Sequence, residues 1–196
     1  MRRMNLPNQL TVARFILTIF FVAALSAQWT FGYTIGLVIF IAAGITDYLD
    51  GEIARRKNLV TDFGKLMDPL ADKIMMAAAF ICLVPVHAFP AWVAVVIISR
   101  EFLITGLRLL AASKGVVLPS EKLGKHKTAW QIATVIFFLT LLALPEFERA
   151  GWIGSLPWMR QAWIYGGCAL ITLSLALTLY SGAGYLYKNR ALILMN

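Results

Sequence analysis

The acidic residues of this chain are concentrated in one short stretch. Six of the ten Asp and Glu residues lie within positions 47–72. Asp47 and Asp50 are three positions apart, and Asp68 and Asp72 are four apart, so each pair occupies one face if its segment is helical. Neighbouring carboxylates repel one another unless they are protonated, paired with cations or bound to metal ions. We therefore predict that these four aspartates bind divalent metal ions.

The ligand types indicate which metals would bind. Oxygen ligands without His or Cys favour Mg²⁺ or Mn²⁺ over zinc, and two such ions would roughly neutralise four carboxylates. A pair of ions about 3.5–4 Å apart is a common device for in-line attack at phosphorus. The sequence therefore predicts a two-metal site that acts on a phosphate-containing substrate.

Small residues and one arginine lie beside these acids. They are Gly51, Ala54, Arg55 and Gly64. The small side chains leave room for a ligand, and a guanidinium suits phosphate oxygens. Close helix packing through small residues is the alternative, and it explains Gly51 alone better than it explains the whole set.

The composition indicates the elements that must position these residues. The chain has 196 residues, 60% hydrophobic and 14% charged, with a mean hydropathy of +0.74. Soluble domains have about 45–50% apolar and about 25% charged residues, so an ordinary soluble, disordered or fibrous protein is excluded. We predict an all-α integral membrane protein with six transmembrane helices in one domain, residues 1–196. The predicted spans are 8–28, 33–56, 62–85, 90–113, 127–145 and 160–187.

The charge distribution predicts the orientation of these spans. The net charge is +8. Lys and Arg are concentrated at the N-terminus and in the segments that follow the second, fourth and sixth spans. Such clusters stay on the cytoplasmic side, so both termini and the metal site are predicted to face the cytoplasm. In a membrane protein this charge favours anionic lipid or a phosphate-rich substrate as partner, and we expect no nucleic acid partner.

The acidic stretch carries a recognisable motif. It runs from Asp47 to Arg55 and continues with Gly64, Asp68 and Asp72. This motif resembles the signature of the CDP-alcohol phosphatidyltransferase family, and all eight defining positions match. The resemblance implies six transmembrane helices, a homodimer, a cytoplasm-facing divalent-metal site and a place in the bacterial inner membrane. It also implies transfer of a phosphatidyl group from a CDP-linked lipid to an alcohol, with release of CMP.

The resemblance also implies roles for single residues. The metal ligands would be Asp47, Asp50, Asp68 and Asp72, and Asp72 is in addition the candidate general base. The nucleotide pocket for the CDP-lipid would be shaped by Gly51, Ala54, Arg55 and Gly64. Activation of the alcohol by the metals without a general base remains the alternative.

The flanking segments indicate the acceptor. Residues 5–14, 99–108 and 124–131 are similar to the branch of the family that uses sn-glycerol 3-phosphate. An acceptor with its own phosphate needs cations, and we predict that Arg108, Lys125 and Lys127 supply them. The reaction implied joins CDP-diacylglycerol to glycerol 3-phosphate, giving phosphatidylglycerophosphate and CMP. Arg100 and Glu101 lie within the fourth span, where charged residues are functional or paired.

Two other functions fit parts of the sequence. The first is another transferase of the same family, with inositol phosphate or serine as acceptor. The second is an ion-coupled membrane transporter in which the four aspartates form the path. The acids cluster at one predicted membrane face and no second polar cluster continues a path outward, which disfavours the transporter.

Overall fold

The structure is a computed structural model of the chain. It describes residues 6–27, 29–57, 62–113, 115–116 and 122–190. Within these ranges the backbone alone is described at residues 6–10, 47–57, 62–66, 68–69, 72 and 122–125.

The described ranges are helical and contain no strand. The helices are α1 (Leu6–Ser26), α2 (Gly32–Lys57), α3 (Asp62–Leu83), α4 (Ala91–Ser113), α5 (Lys122–Arg149) and α6 (Met159–Lys188). The prediction of an all-α fold built on six helices is confirmed.

Helix α5 is longer than the sequence predicts. The sequence predicts a span over 127–145, but the helix runs from Lys122 through Pro145 to Arg149. The extra turn ends in a glycine-based cap. Gly151 has a φ of 75°, its N–H donates to the Glu148 carbonyl, and the Trp152 N–H donates to the Phe147 carbonyl. These two bonds satisfy carbonyls that a helix end leaves free, so the helix stops at its cap rather than at its proline.

Helix α6 contains a wider turn near its start. Residues Ala162–Gly166 are π-helical, and regular α-helix follows from Gly167 to Lys188. At this point the helix lies directly on two phenylalanines of α5. A Cβ at Gly166 would lie 2.7 Å from Phe137 Cζ, and one at Gly167 would lie 2.8 Å from Phe138 Cζ. Glycine at both positions thus lets the α6 backbone lie this close to the two rings, which a larger residue would have to displace.

The chain forms two compact units. The first comprises Met1–Leu83 and Leu139–Leu156, and the second comprises Val84–Phe138 and Pro157–Asn196. In the first unit α1 packs against both α2 and α3, with the rings of Phe21 and Phe40 6.0 Å apart.

In the second unit α4 packs against α6. Its aromatic centre is Phe138, whose ring lies 4.9 Å from that of Trp163 and 6.0 Å from that of Phe89. Phe138 is completely buried, so α5 closes the apolar core of this unit.

Two helical segments in the described part of the chain are long and apolar enough to cross a membrane. They are His126–Arg149 and Met159–Lys188. Shorter apolar segments of 10–17 residues lie in three other helices, at Thr11–Ser26, Gly32–Thr46 and Lys73–Leu83. Of the six helices in the described ranges, length and composition thus identify segments of two as candidate spans.

Candidate functional site

The predicted metal ligands lie on two helices of the first unit. Asp47 and Asp50 are one turn apart in α2, and Asp68 and Asp72 are one turn apart in α3. Both segments are continuous α-helix, so the three- and four-residue spacings on which the metal prediction rests are helical spacings. The carboxylates themselves are not described, and neither are the side chains of Ala54 and Arg55; Gly51 and Gly64 are placed by their backbone alone.

Helix α1 supports both of these helices. Its Arg14 is buried, and the Thr18 hydroxyl donates 2.9 Å to the Arg14 carbonyl and lies 3.8 Å from the Met75 sulfur of α3. The Phe21 ring on the same side of α1 contacts Phe40 of α2. One rigid helix thus fixes the two aspartate-bearing helices through a buried contact to each.

Two cations of the second unit form a cluster around Glu101 of α4. Glu101 Oε1 accepts from the Lys127 ammonium of α5 and, at 3.3 Å, from the Arg100 guanidinium. The Lys127 and Glu101 side chains are only 4% and 8% exposed. Arg100 also donates 3.1 Å to the Ser181 hydroxyl of α6. The cluster therefore joins three helices.

Of the three cations predicted to bind the acceptor, the structure places one inside this cluster. Lys127 is buried against Glu101. Arg108 is exposed on α4, two turns beyond Arg100. Lys125 lies in the first turn of α5, with its side chain outside the described residues. All three belong to the second unit.

A row of buried hydroxyl groups continues from the cluster along α6. The Thr134 and Ser174 hydroxyls are 2.9 Å apart, and Gln131 Nε2 donates 3.1 Å to the Thr178 hydroxyl. These α6 residues were not predicted from the sequence, because Ser and Thr barely lower the hydropathy of an apolar run. The signal was their spacing, since positions 174, 178 and 181 recur at four and three residues, on one helix face.

A buried carboxylate in the first unit was also not predicted from the sequence. Glu146 of α5 is 1% exposed and accepts three hydrogen bonds at the start of α2. The Tyr33 and Thr34 backbone N–H groups donate at 2.8 Å and 2.9 Å, and the Thr34 hydroxyl donates at 2.6 Å. A carboxylate is well suited to this place, because the first N–H groups of a helix have no partners within it.

The described side chains contain no group of three or more His, Cys, Asp or Glu residues that could hold a metal ion. The four aspartates of α2 and α3 were predicted as ligands, and their carboxylates are not among the described side chains. Their chemistry fits a hard divalent cation, since all four are oxygen donors.

Comparison with known proteins places the chain in a class. The profile of the CDP-alcohol phosphatidyltransferase family matches residues 4–180, about nine-tenths of the sequence. The chain belongs to this family.

Individual relatives narrow the class further. A Bacillus subtilis protein is 40% identical over 179 residues, which are 82% of this chain and 93% of the relative. A Salmonella paratyphi A protein is 34% identical over 192 residues, 95% of each chain. A Rickettsia felis protein is 39% identical over 140 residues, 71% of this chain and 75% of the relative. All three are named CDP-diacylglycerol--glycerol-3-phosphate 3-phosphatidyltransferase.

Proposed function

We propose that this protein is a phosphatidylglycerophosphate synthase. It transfers the phosphatidyl group of CDP-diacylglycerol to sn-glycerol 3-phosphate and releases CMP. The observation that carries the proposal is the complete eight-position signature on two continuous helices, in a chain 40% identical to a relative named for this activity.

The first part of the proposal concerns a divalent-metal site. We propose that Asp47, Asp50, Asp68 and Asp72 hold two Mg²⁺ or Mn²⁺ ions, because their donor set is carboxylate oxygen alone. Ions bound there would stabilise negative charge on the pyrophosphate and on the departing CMP.

The second part concerns the chemical step. The 1-hydroxyl oxygen of glycerol 3-phosphate forms a bond to the lipid-side phosphorus, and the bond from that phosphorus to the CMP oxygen breaks. Asp72 would accept the hydroxyl proton as general base. Gly51, Ala54 and Gly64 would leave space for the nucleotide, and Arg55 would contact its phosphate oxygens.

The third part concerns the acceptor. We propose that Arg108 and Lys125 bind the phosphate of glycerol 3-phosphate, since a planar guanidinium and an ammonium are both suited to phosphate oxygens. Lys127 would contribute from its pair with Glu101, whose carboxylate offsets the cost of burying the ammonium. Inositol phosphate and serine are alternative acceptors, and serine would not need these cations.

The fourth part concerns the membrane topology and the oligomeric state. We propose that the chain is one membrane domain with six spans, embedded in the lipids of the bacterial inner membrane with both termini and the aspartates on the cytoplasmic side. The excess of Lys and Arg in the loops assigned to that side supports this orientation. The family resemblance supports a homodimer.

The proposal is tested with two aspartate variants of α3. Asp68→Asn removes one predicted metal ligand, and Asp62→Asn makes the same change at the first residue of the helix, outside the signature. We expect Asp68→Asn to reduce incorporation of labelled glycerol 3-phosphate into lipid by about a hundredfold or more, as loss of electrostatic stabilisation does elsewhere. Asp62→Asn should retain activity. Equal activity of both variants would contradict the metal assignment.

A further inference from the structure

Tyr185 of α6 has a buried hydroxyl group. The residue is 4% exposed, and its hydroxyl oxygen makes no hydrogen bond to any part of the chain that the structure describes. Buried tyrosine hydroxyls normally have a partner, because a buried polar group without one is costly. Tyr185 also lies beyond residue 180, where the match to the family profile ends. Its hydroxyl therefore needs a partner that the described part of the chain does not supply.

The position of Tyr185 follows from the row of polar groups on α6. Ser174, Thr178 and Ser181 precede it on the same face, at intervals of four, three and four residues. Each of these three is hydrogen-bonded to α5 or α4, through Thr134, Gln131 and Arg100 respectively. Tyr185 is the next position in the row, and it alone of the four has no such bond among the described residues.

The contacts within the second unit fix which residues lie level with Tyr185. At one end of the unit, Phe138 of α5 contacts Phe89, just before α4, and lies on Gly167 of α6. Further along α4, Glu101 contacts Lys127, which lies near the start of α5. Along the sequence, α4 and α6 thus run in the same direction and α5 runs in the opposite one.

This register can be continued by one turn. Thr134 pairs with Ser174, and Gln131 pairs with Thr178. Moving from the first pair to the second, the residue number falls by three in α5 and rises by four in α6. Tyr185 is therefore level with the first turn of α5, which contains position 125, and it is one turn beyond the charged cluster at Ser181. On α4 the same level falls between Arg100 and Arg108.

The chemistry of this level favours an anion. Arg108 and position 125 flank this level in sequence register, and Arg100 and Lys127 lie one turn away, where Glu101 pairs with both. The single carboxylate offsets one of these four cationic charges, so the region keeps an excess of positive charge. Arginine and lysine only donate hydrogen bonds, and a phenol can donate one as well. A phosphate group, which offers several acceptor oxygens, is the ligand that such a set of donors fits.

We propose that the Tyr185 hydroxyl donates a hydrogen bond to the phosphate of the phosphorylated alcohol acceptor. This inference rests on the proposed function and adds a substrate-binding residue on the last helix. The phenol places a neutral, directional donor among the cations. Its specificity is for a phosphate monoester on the acceptor, so an acceptor without phosphate gains nothing from it.

The test is the variant Tyr185→Phe, which keeps the buried ring and removes only the oxygen. A hydrogen bond to a charged group changes binding by about tenfold or more, so the KM for glycerol 3-phosphate should rise by that factor. The KM for CDP-diacylglycerol and kcat should stay close to their wild-type values. The matched control is Tyr187→Phe, which removes the hydroxyl of a 70% exposed ring on the same helix and should leave all three constants unchanged.

A second readout needs no turnover. Glycerol 3-phosphate should raise the unfolding temperature of the wild type and of Tyr187→Phe more than that of Tyr185→Phe. An unchanged KM for glycerol 3-phosphate in Tyr185→Phe, or a rise in the KM for CDP-diacylglycerol alone, would overturn the inference. If wild-type protein used no glycerol 3-phosphate at all, the proposed function would fail instead, and the two failures are thereby distinguished.

Discussion

Glu101 holds two cations on a single carboxylate oxygen. Its neighbour Arg100 is adjacent in sequence, and Lys127 comes from 26 residues further along, on another helix. The sequence predicts that Arg100 and Glu101 are functional or paired, since charged residues within a span are costly. It does not predict that Lys127 joins them, because a long-range partner leaves no periodic signal. The structure thus gives Lys127 a structural bond in addition to its proposed contact with the acceptor.

The first prediction concerns this bond. Glu101→Gln leaves the Lys127 ammonium buried without its carboxylate, and loss of one partner of a buried pair costs about 3–5 kcal/mol. We expect a clearly lower unfolding temperature in detergent. The double variant Glu101→Gln with Lys127→Met removes both charges and should recover part of that loss. Glu148→Gln, a half-buried glutamate at the end of α5, is the control and should change little. A Glu101→Gln protein as stable as the wild type would contradict this account.

Helix ends were harder to predict than helices. The predicted spans match each of the six helices to within a few residues, except at α5, which continues beyond the predicted end at residue 145 to Arg149. A proline removes one N–H and strains one turn, but the helix continues where a later cap is strong enough. Gly151 forms that cap, and Glu146 lies in the added turn. Without that turn the carboxylate would not reach the start of α2.

The second prediction concerns the link from α5 to α2. Glu146→Ala removes the acceptor for the Tyr33 and Thr34 N–H groups and for the Thr34 hydroxyl. Helix caps contribute about 0.5–2 kcal/mol, and bonds to a buried charge contribute more, so we expect a loss of about 2–3 kcal/mol. Thr34→Val removes the hydroxyl alone and should cost about 1 kcal/mol. Thermal unfolding in detergent measures both. If the two variants lost the same free energy of unfolding, the hydrogen bonds from the Tyr33 and Thr34 N–H groups would not contribute to stability.

At the scale of the whole molecule, hydropathy predicts the number of helices well and the functional contacts poorly. Six apolar segments were sufficient to predict six helices, because each must satisfy its own backbone. The aspartate signature could be recognised because its spacing is local, and its metal site stays a prediction. The hydroxyl row of α6 and the buried Tyr185 could not, since their partners lie on helices distant in sequence and their side chains barely change the hydropathy of α6.

The third prediction concerns the proposed topology. Single cysteines are placed in a variant whose two native cysteines are replaced by alanine. Trp29→Cys and Gly154→Cys lie in loops assigned to the outer side, and Val116→Cys and Lys188→Cys lie at ends assigned to the cytoplasm. In inverted membrane vesicles an impermeant maleimide should label positions 116 and 188 and spare 29 and 154. Labelling of residues from both groups would contradict six spans with cytoplasmic termini.

The most direct test of the central claim is CMP release from CDP-diacylglycerol in detergent micelles. Glycerol 3-phosphate, free glycerol, serine, inositol and inositol phosphate are offered in parallel, with and without Mg²⁺ or Mn²⁺. The account predicts metal-dependent release with glycerol 3-phosphate alone, and its loss in Asp68→Asn. Release with a different acceptor would contradict the assigned substrate, and no release with any acceptor from a folded protein would contradict the transferase itself.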